Sequence, residues 1–204
     1  MDSNAPGAVR LSRADAKAET RRQLLDSALK VFTTVGYQGA RLDDIAARAG
    51  FTKGALYWHF PNKQAIFLAL IADAIEANLA TLSSLVEQDC DAAAIRTRMG
   101  AWIDGIDKRE TLPRFGVELE IEARRDPSFR AIYPGMIAKH EAALGQFLTR
   151  YFEVAELKPE MPIPALASTL LTIFKGFALS RQNRPDGPVT SAGVVRLLMG
   201  LPVA

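Results

Sequence analysis

Residues Ala40–Asn62 read ARLDDIAARAGFTKGALYWHFPN, the pattern of a helix, a tight turn, a second short helix and a sharp stop. Ile45 and Ala46 give the first helix a buried edge, and Ala46 and Ala49 are small enough for close helix–helix approach. Gly50 stands where a helix C-terminus takes a left-handed residue. Phe51 is an apolar plug in the turn, and Thr52 is an N-cap for the next helix. Leu56 and Phe60 fall on one face of that helix. Pro61 ends it by biasing Phe60 away from helical geometry. Such a helix-turn-helix can place its second helix in a DNA major groove.

The polar and exposed positions carry the chemistry. Lys53 begins the second helix, the end that meets base edges in this motif. Gly54 costs about 1 kcal/mol in a helix relative to alanine, which makes sense where a backbone must come close. Thr52, Gly54 and Ala55 are candidates for further base contacts, including a thymine methyl. Tyr57, His59, Lys63 and Arg41 are candidates for phosphate oxygens. Trp58 is expected half in the core and half at the interface. Asp43 and Asp44 favour the helix dipole. Asp43 also faces the DNA side, where it could accept from a cytosine amine or repel phosphate.

The segment AARAGFTKGALYWHFPNK, with RQLLDSALKVFTTVGY before it, closely resembles the signature of tetracycline-repressor (TetR) type transcriptional regulators. The match covers residues 20–70. The resemblance implies a homodimer, an N-terminal DNA-binding domain and a C-terminal domain that binds a small-molecule inducer. Family members usually carry Thr or Ser just before the first helix of the motif. Here the sequence is Ala40-Arg41-Leu42, so the cap hydroxyl is missing and Arg41 is left to make the phosphate contact.

Around this segment the chain organises as an all-α protein. Residues 1–19 read as a flexible arm in which Arg10, Arg13 and Lys17 could touch DNA, although a solvated tail fits as well. A helix over Thr20–Val35 has an apolar face of Leu24, Leu25, Ala28, Val31, Phe32 and Val35, closed by Gly36. The helix-turn-helix domain is set at residues 20–64. Asn62 then caps a long helix, Lys63–Glu87, which spans on the order of 37 Å and links reader to body. Residues 65–204 form the ligand-binding and dimerisation domain. Its helices are expected over Ala92–Lys108, Leu112–Arg125, Pro127–Val154, Ile163–Gln182 and Ser191–Leu201. Breakers fall at Asp126–Pro127, Lys158–Pro162 and Arg184–Pro188.

Charge supports this division. Residues 1–64 carry 10 Lys/Arg against 6 Asp/Glu, whereas residues 65–204 carry 15 against 17. A basic head on an acidic body fits a DNA reader. No uninterrupted apolar run reaches the roughly 20 residues of a membrane span, and no signal-peptide core stands at the N-terminus. With Cys90 as the lone cysteine, a cytoplasmic, nucleoid-associated protein is expected.

In the body, Trp102, Ile106, Phe115, Leu119, Met136, His140, Phe147, Phe174 and Phe177 come from helices that converge. They are the candidate inducer pocket, although for any single one of them plain core is the more ordinary reading. Arg114, Glu118, Glu122 and Arg125 read as a solvated face, with Glu120 paired to Arg124; a buried acid among them could bind a cationic inducer. Leu166, Leu170, Phe177, Val194, Leu197, Leu198 and Leu201 are the candidate dimer face, consistent with the resemblance, which implies a bundle of the last two helices from each subunit.

The functional expectation is a ligand-responsive repressor on a palindromic operator. A DNA-binding regulator without a small-molecule ligand, controlled by a partner protein or acting as an activator, stays open as the alternative. Signs of an enzyme are missing: no G-x-S-x-G, no G-x-G-x-x-G, and no Glu three residues before either histidine. No cofactor or metal is implied.

Overall fold

The computed structural model describes residues 12–87, 91–106, 109, 111–183 and 190–203. Those residues form nine α-helices and no strand: α1 Arg13–Gly39, α2 Leu42–Ala49, α3 Lys53–His59, α4 Lys63–Glu87, α5 Ala92–Asp104, α6 Thr111–Arg125, α7 Pro127–Val154, α8 Ile163–Asn183 and α9 Ser191–Leu198. The chain divides into two compact units between Leu70 and Ile71, inside α4. Arg10, Cys90, Lys108 and the Arg184–Pro188 breaker lie outside the described residues.

In the first unit, α1 starts seven residues earlier than the apolar pattern predicts. Ser12 and Asp15 close a capping box: the Asp15 N–H donates to Ser12 Oγ at 3.1 Å and the Ser12 N–H to Asp15 Oδ2 at 3.2 Å. That local pairing holds a first turn which has no apolar face of its own. At its far end α1 is interrupted at Gly36, whose φ of 69° only glycine adopts freely. Val35, expected on the apolar face, is exposed.

Leu24, Ala28, Phe32, Ile45, Leu56, Ile66 and Phe67 are fully buried. Phe67 joins Phe32 at 5.1 Å and Tyr37 at 4.8 Å between ring centroids. The first two turns of α4 therefore complete the reader's core, beyond the expected boundary at residue 64. Ser27, also buried, donates to the Ile45 carbonyl at 2.8 Å and pins α2 to α1.

The second unit holds the rest of α4 with α5–α9. Asp91, Asp126 and Thr190 accept N-cap hydrogen bonds that start α5, α7 and α9. The core brings together Ile95, Met99, Leu148, Tyr151, Leu166, Leu170, Val195 and Met199. The Tyr151 hydroxyl donates to the Met199 carbonyl at 3.3 Å, and burial pushes its pKa up to about 12. Arg196 of α9 forks onto Asp104, the last residue of α5, at 2.6 and 2.8 Å, and Gly105 caps that helix. Helix α9 ends at Leu198, short of Leu201, because Gly200 takes a left-handed φ of 69°.

Two windows, Lys63–Val86 and Ile163–Ser180, are long and apolar enough to cross a membrane by length and composition. Counting uninterrupted apolar residues misses them because both tolerate scattered polar side chains. Here α4 divides its apolar residues between the reader core and the body, and α8 gives its own to the body core and the cavity described below.

Candidate nucleic-acid interface and ligand cavity

Turn geometry sets the reader helix. Gly50 adopts φ 76° and ends α2. The Phe51 N–H then donates to the Ala46 carbonyl at 2.9 Å, a Schellman-type closure. Thr52 Oγ1 accepts from the Ala55 N–H at 3.2 Å and starts α3. Leu56 and Phe60 are buried, which turns Thr52, Lys53, Gly54, Tyr57 and Trp58 outward, with Ala55 and His59 half-buried. A methyl group added at Gly54 would have Thr52 Oγ1 at 3.9 Å as its nearest neighbour, so the open side of that glycine faces whatever docks. Arg41 is the α2 N-cap and makes no side-chain cap bond.

Lys53 Nζ lies 2.9 Å from Asp43 Oδ1, across the turn of the motif. The hydrogen bond and charge of Asp43 raise the Lys53 pKa above its ordinary value, so the ammonium is charged at any physiological pH. Both side chains are well over half exposed. Solvent screens a pair as exposed as this one. His59 sits half-buried; burial first, then the charges of Lys17 and Arg21, lower its pKa. Its ring is uncharged at neutral pH and offers a phosphate one N–H donor.

Two side chains are placed differently from the sequence expectation. Trp58 is 66% exposed rather than half core. Its ring is covered by Lys17 Nζ at 4.4 Å and meets His59 edge-on at 4.7 Å. Lys63 turns inward. Its ammonium donates to the carbonyls of Tyr37, Gln38 and Ala40 at 2.8, 3.3 and 3.1 Å, and lies 4.5 Å from the Tyr37 ring centre. The ammonium thus gathers three carbonyls from the stretch that follows the break at Gly36.

The second unit contains a cavity of about 580 Å³ bounded by α4, α5, α6, α7, α8 and α9. Trp102, Ile106, Leu119, Met136, His140, Phe147, Phe174 and Phe177 line it. Phe115 does not: it is 1% exposed and packed as core, since one helix carries apolar residues toward more than one neighbour. Ile75, Asn78 and Thr81 from α4, together with Arg109, Glu141 and Lys175, line the cavity without having stood out in the sequence. The apolar residues of α4 were a usable signal, because their number exceeds what a linking helix needs.

The cavity wall is mostly apolar, with Arg109, His140, Glu141 and Lys175 as its titratable groups. His140 is 8% exposed, and burial lowers its pKa against the opposing charge of Glu141. Arg109 stacks its guanidinium 4.4 Å from the Trp102 ring centre and donates to the Trp102 carbonyl. Lys175 reaches Glu120 at 2.8 Å, and the Tyr133 hydroxyl donates to the same carboxylate at 3.2 Å. Burial alone would lower the Lys175 pKa, but its bonds to Glu120 and Tyr133 outweigh that and raise it. Glu122 is the buried acid of the presumed solvated face. It pairs with Arg125 at 3.8 Å and is not part of the cavity wall.

A family model for bacterial regulatory proteins of the tetR family matches residues 24–70. The chain is 31% identical over 171 residues to the HTH-type transcriptional regulator SrpR of Pseudomonas putida, covering 82% of this chain and 75% of that protein. It belongs to the TetR family. It is also 25% identical over 169 residues to the transcriptional repressor AcnR of Corynebacterium glutamicum, covering 82% of this chain and 84% of AcnR. A match of 48% to the uncharacterized regulator TtgW of Pseudomonas putida is confined to 64 residues, 31% of this chain and 47% of that protein. Among solved structures, the transcriptional regulator FadR of Bacillus subtilis in complex with stearoyl-CoA shares the fold with a TM-score of 0.62 at 16% identity, covering 90% of this chain and 97% of that one. As a TetR-family protein the chain is a helix-turn-helix transcriptional regulator, and its relatives are transcriptional regulators rather than enzymes.

Within this TetR-family body the candidate dimer residues separate into two groups. Leu166, Leu170 and Leu201 are 1%, 3% and 6% exposed and belong to the chain's own core; they are unavailable to a second subunit. Leu197 is 65% exposed, and Phe177, Val194 and Leu198 are half-buried. Leu179 of α8 is a further exposed apolar residue, at 51%.

Proposed function

We infer that this TetR-family regulator is a ligand-responsive repressor that binds a palindromic or near-palindromic operator as a homodimer and leaves it when a small molecule occupies the body. One observation carries this reading: the same chain holds a capped reader helix with its polar residues outward and an apolar cavity of about 580 Å³ in its other unit. That volume lies within the range of small-molecule sites, about 300–1,000 Å³. A filled body would have favoured control by a partner protein.

Two readers enter successive major grooves about 34–36 Å apart. Lys53 reads bases, with Thr52, Gly54 and Ala55 against the groove edge; Tyr57, His59 and Arg41 fix the register on phosphates, and Trp58 covers the groove wall. Lys63 serves the same register from behind, by holding the corner between α1 and α2. Phe177, Val194, Leu197 and Leu198 supply the subunit contact. The inducer acts by binding a state with misplaced readers better than the DNA-bound state. Repression agrees with AcnR being a transcriptional repressor, and FadR with stearoyl-CoA illustrates the same fold holding a small molecule. The site of action is the nucleoid, in the cytoplasm.

The test is selection of bound fragments from host genomic DNA with Tyr57→Ala as control, followed by a melting screen against small metabolites. A few palindromic sites lost by the control, and at least one metabolite that both raises the melting temperature and releases the DNA, are expected. Sequence-blind binding that fades with salt would refute the operator, and sites without any releasing metabolite would refute the ligand.

A further inference from the structure

Lys53 and Asp43 form a side-by-side cation and anion on the reader surface, with Nζ and Oδ1 2.9 Å apart. An exposed carboxylate is out of place on a surface that must approach phosphates. It is repelled by the backbone, and its only favourable partners in the major groove are the donors cytosine N4 and adenine N6. Lys53 is the first residue of α3, the end of a recognition helix that meets base edges, and the ion pair holds Asp43 beside it.

We propose that Lys53 and Asp43 read one C·G base pair in each half-site as a unit, the ammonium on guanine and the carboxylate on the paired cytosine. This deepens the operator reading above and rests on it. The spacing fits: guanine O6 and cytosine N4 are joined by an N–H···O hydrogen bond and so stand about 2.9 Å apart, the same separation as the two side-chain atoms. Each base atom meets its complement, O6 accepting from Nζ and the free N4 proton going to Oδ1. The ion pair opens only enough to admit the base edges, and neither charge is left bare in the groove.

The same geometry rejects an A·T pair, which also sets a donor beside an acceptor. Adenine N7 lies next to N6 and would face the carboxylate, whereas cytosine offers only C–H there. The thymine methyl lies next to O4 and would crowd the ammonium, whereas guanine offers N7 as a second acceptor. Asp43 is thus a specificity-determining residue outside the recognition helix.

The experiment selects from one pool of randomised duplex DNA, at one salt concentration, with the full-length protein and with Asp43→Asn. The unaltered protein is expected to fix a C·G pair at one place in each half-site. Asp43→Asn is expected to keep the flanking bases and move that pair toward A·T, because asparagine bonds adenine N6 and N7 together. On the selected duplex, replacing that C·G with A·T should weaken the unaltered protein about 5- to 150-fold, the equivalent of one good base contact. This second arm needs no protein variant. Unchanged base preference in Asp43→Asn, or no loss on the replaced duplex, overturns the paired reading and leaves the regulator intact. Failure of the unaltered protein to select any sequence overturns both.

Discussion

Replacing Lys63 by methionine isolates what its charge does, since the two side chains have similar length and apolar stems. In the structure the ammonium holds three carbonyls, at 2.8 to 3.3 Å, from residues that close the end of α1, and it also lies on Tyr37. A hydrogen bond to a charged group contributes about 1.5–3 kcal/mol net, and a half-exposed cation–π contact about 0.5–1. The Gln38 carbonyl can turn to water, and the remaining bonds share one cation, so the contributions do not add in full. A loss of about 2–3 kcal/mol from the reader is expected. Native-state hydrogen exchange on the full chain reads this directly. Amides of Leu24–Phe32 and Ile45–Leu56 should exchange roughly 30- to 150-fold faster, while those of α7 and α8 stay unchanged. If protection in the reader is unaltered and operator affinity instead falls with a shallower salt dependence, the inward clip is wrong and Lys63 is the phosphate contact that the sequence suggests.

Further outcomes follow from the same geometry. Lys53→Ala should relax base preference while leaving thermal stability nearly unchanged, since it breaks only an exposed pair; unchanged preference would remove Lys53 from base reading. Gly50→Ala should destabilise the reader by about 1–2 kcal/mol, because alanine must then adopt the left-handed φ of 76°; chemical denaturation checks it. Leu197→Glu, at a position 65% exposed, should shift the protein toward monomer in sedimentation without unfolding it. Burial holds the His140 pKa below 6.5 in the folded body. The unfolded chain therefore binds the proton first as pH falls. Stability from this group is complete above about pH 6.5 and is lost below it, at up to about 1.4 kcal/mol per pH unit. His140→Gln should flatten the difference between stability at pH 7 and pH 5.

The reader was legible because its signals are local. Thr52, Leu56, Phe60 and Pro61 each act within a few residues, and the structure uses them as the pattern says. The start of α1 was equally local: Ser12 followed by Asp15 is a capping signal, obscured by the absence of apolar residues around it. Tertiary pairings were not legible. That Lys63 would find the carbonyls at the end of α1 depends on the path of a chain that puts Tyr37 26 positions before it. The body shows the other limit. Periodicity marks Phe115, Leu119, Leu166 and Leu197 alike as apolar, yet one is core, one lines the cavity, one packs inside its own subunit and one is left in solvent. What separates them is the neighbour each face meets, and a helical repeat carries no label for its neighbour.

Helix α4 runs unbroken through the division at Leu70 and Ile71. The backbone at that division is therefore helical on both sides. Each residue added to or removed from that crossing would turn the following helix by about 100° and move it by about 1.5 Å. Recombination that grafts a new sensor onto this reader is thus constrained to junctions that keep phase, and Ile66 and Phe67 must travel with the reader. A graft of this kind is therefore read in steps of helical phase, with the reader's own core residues on α4 setting where the count begins.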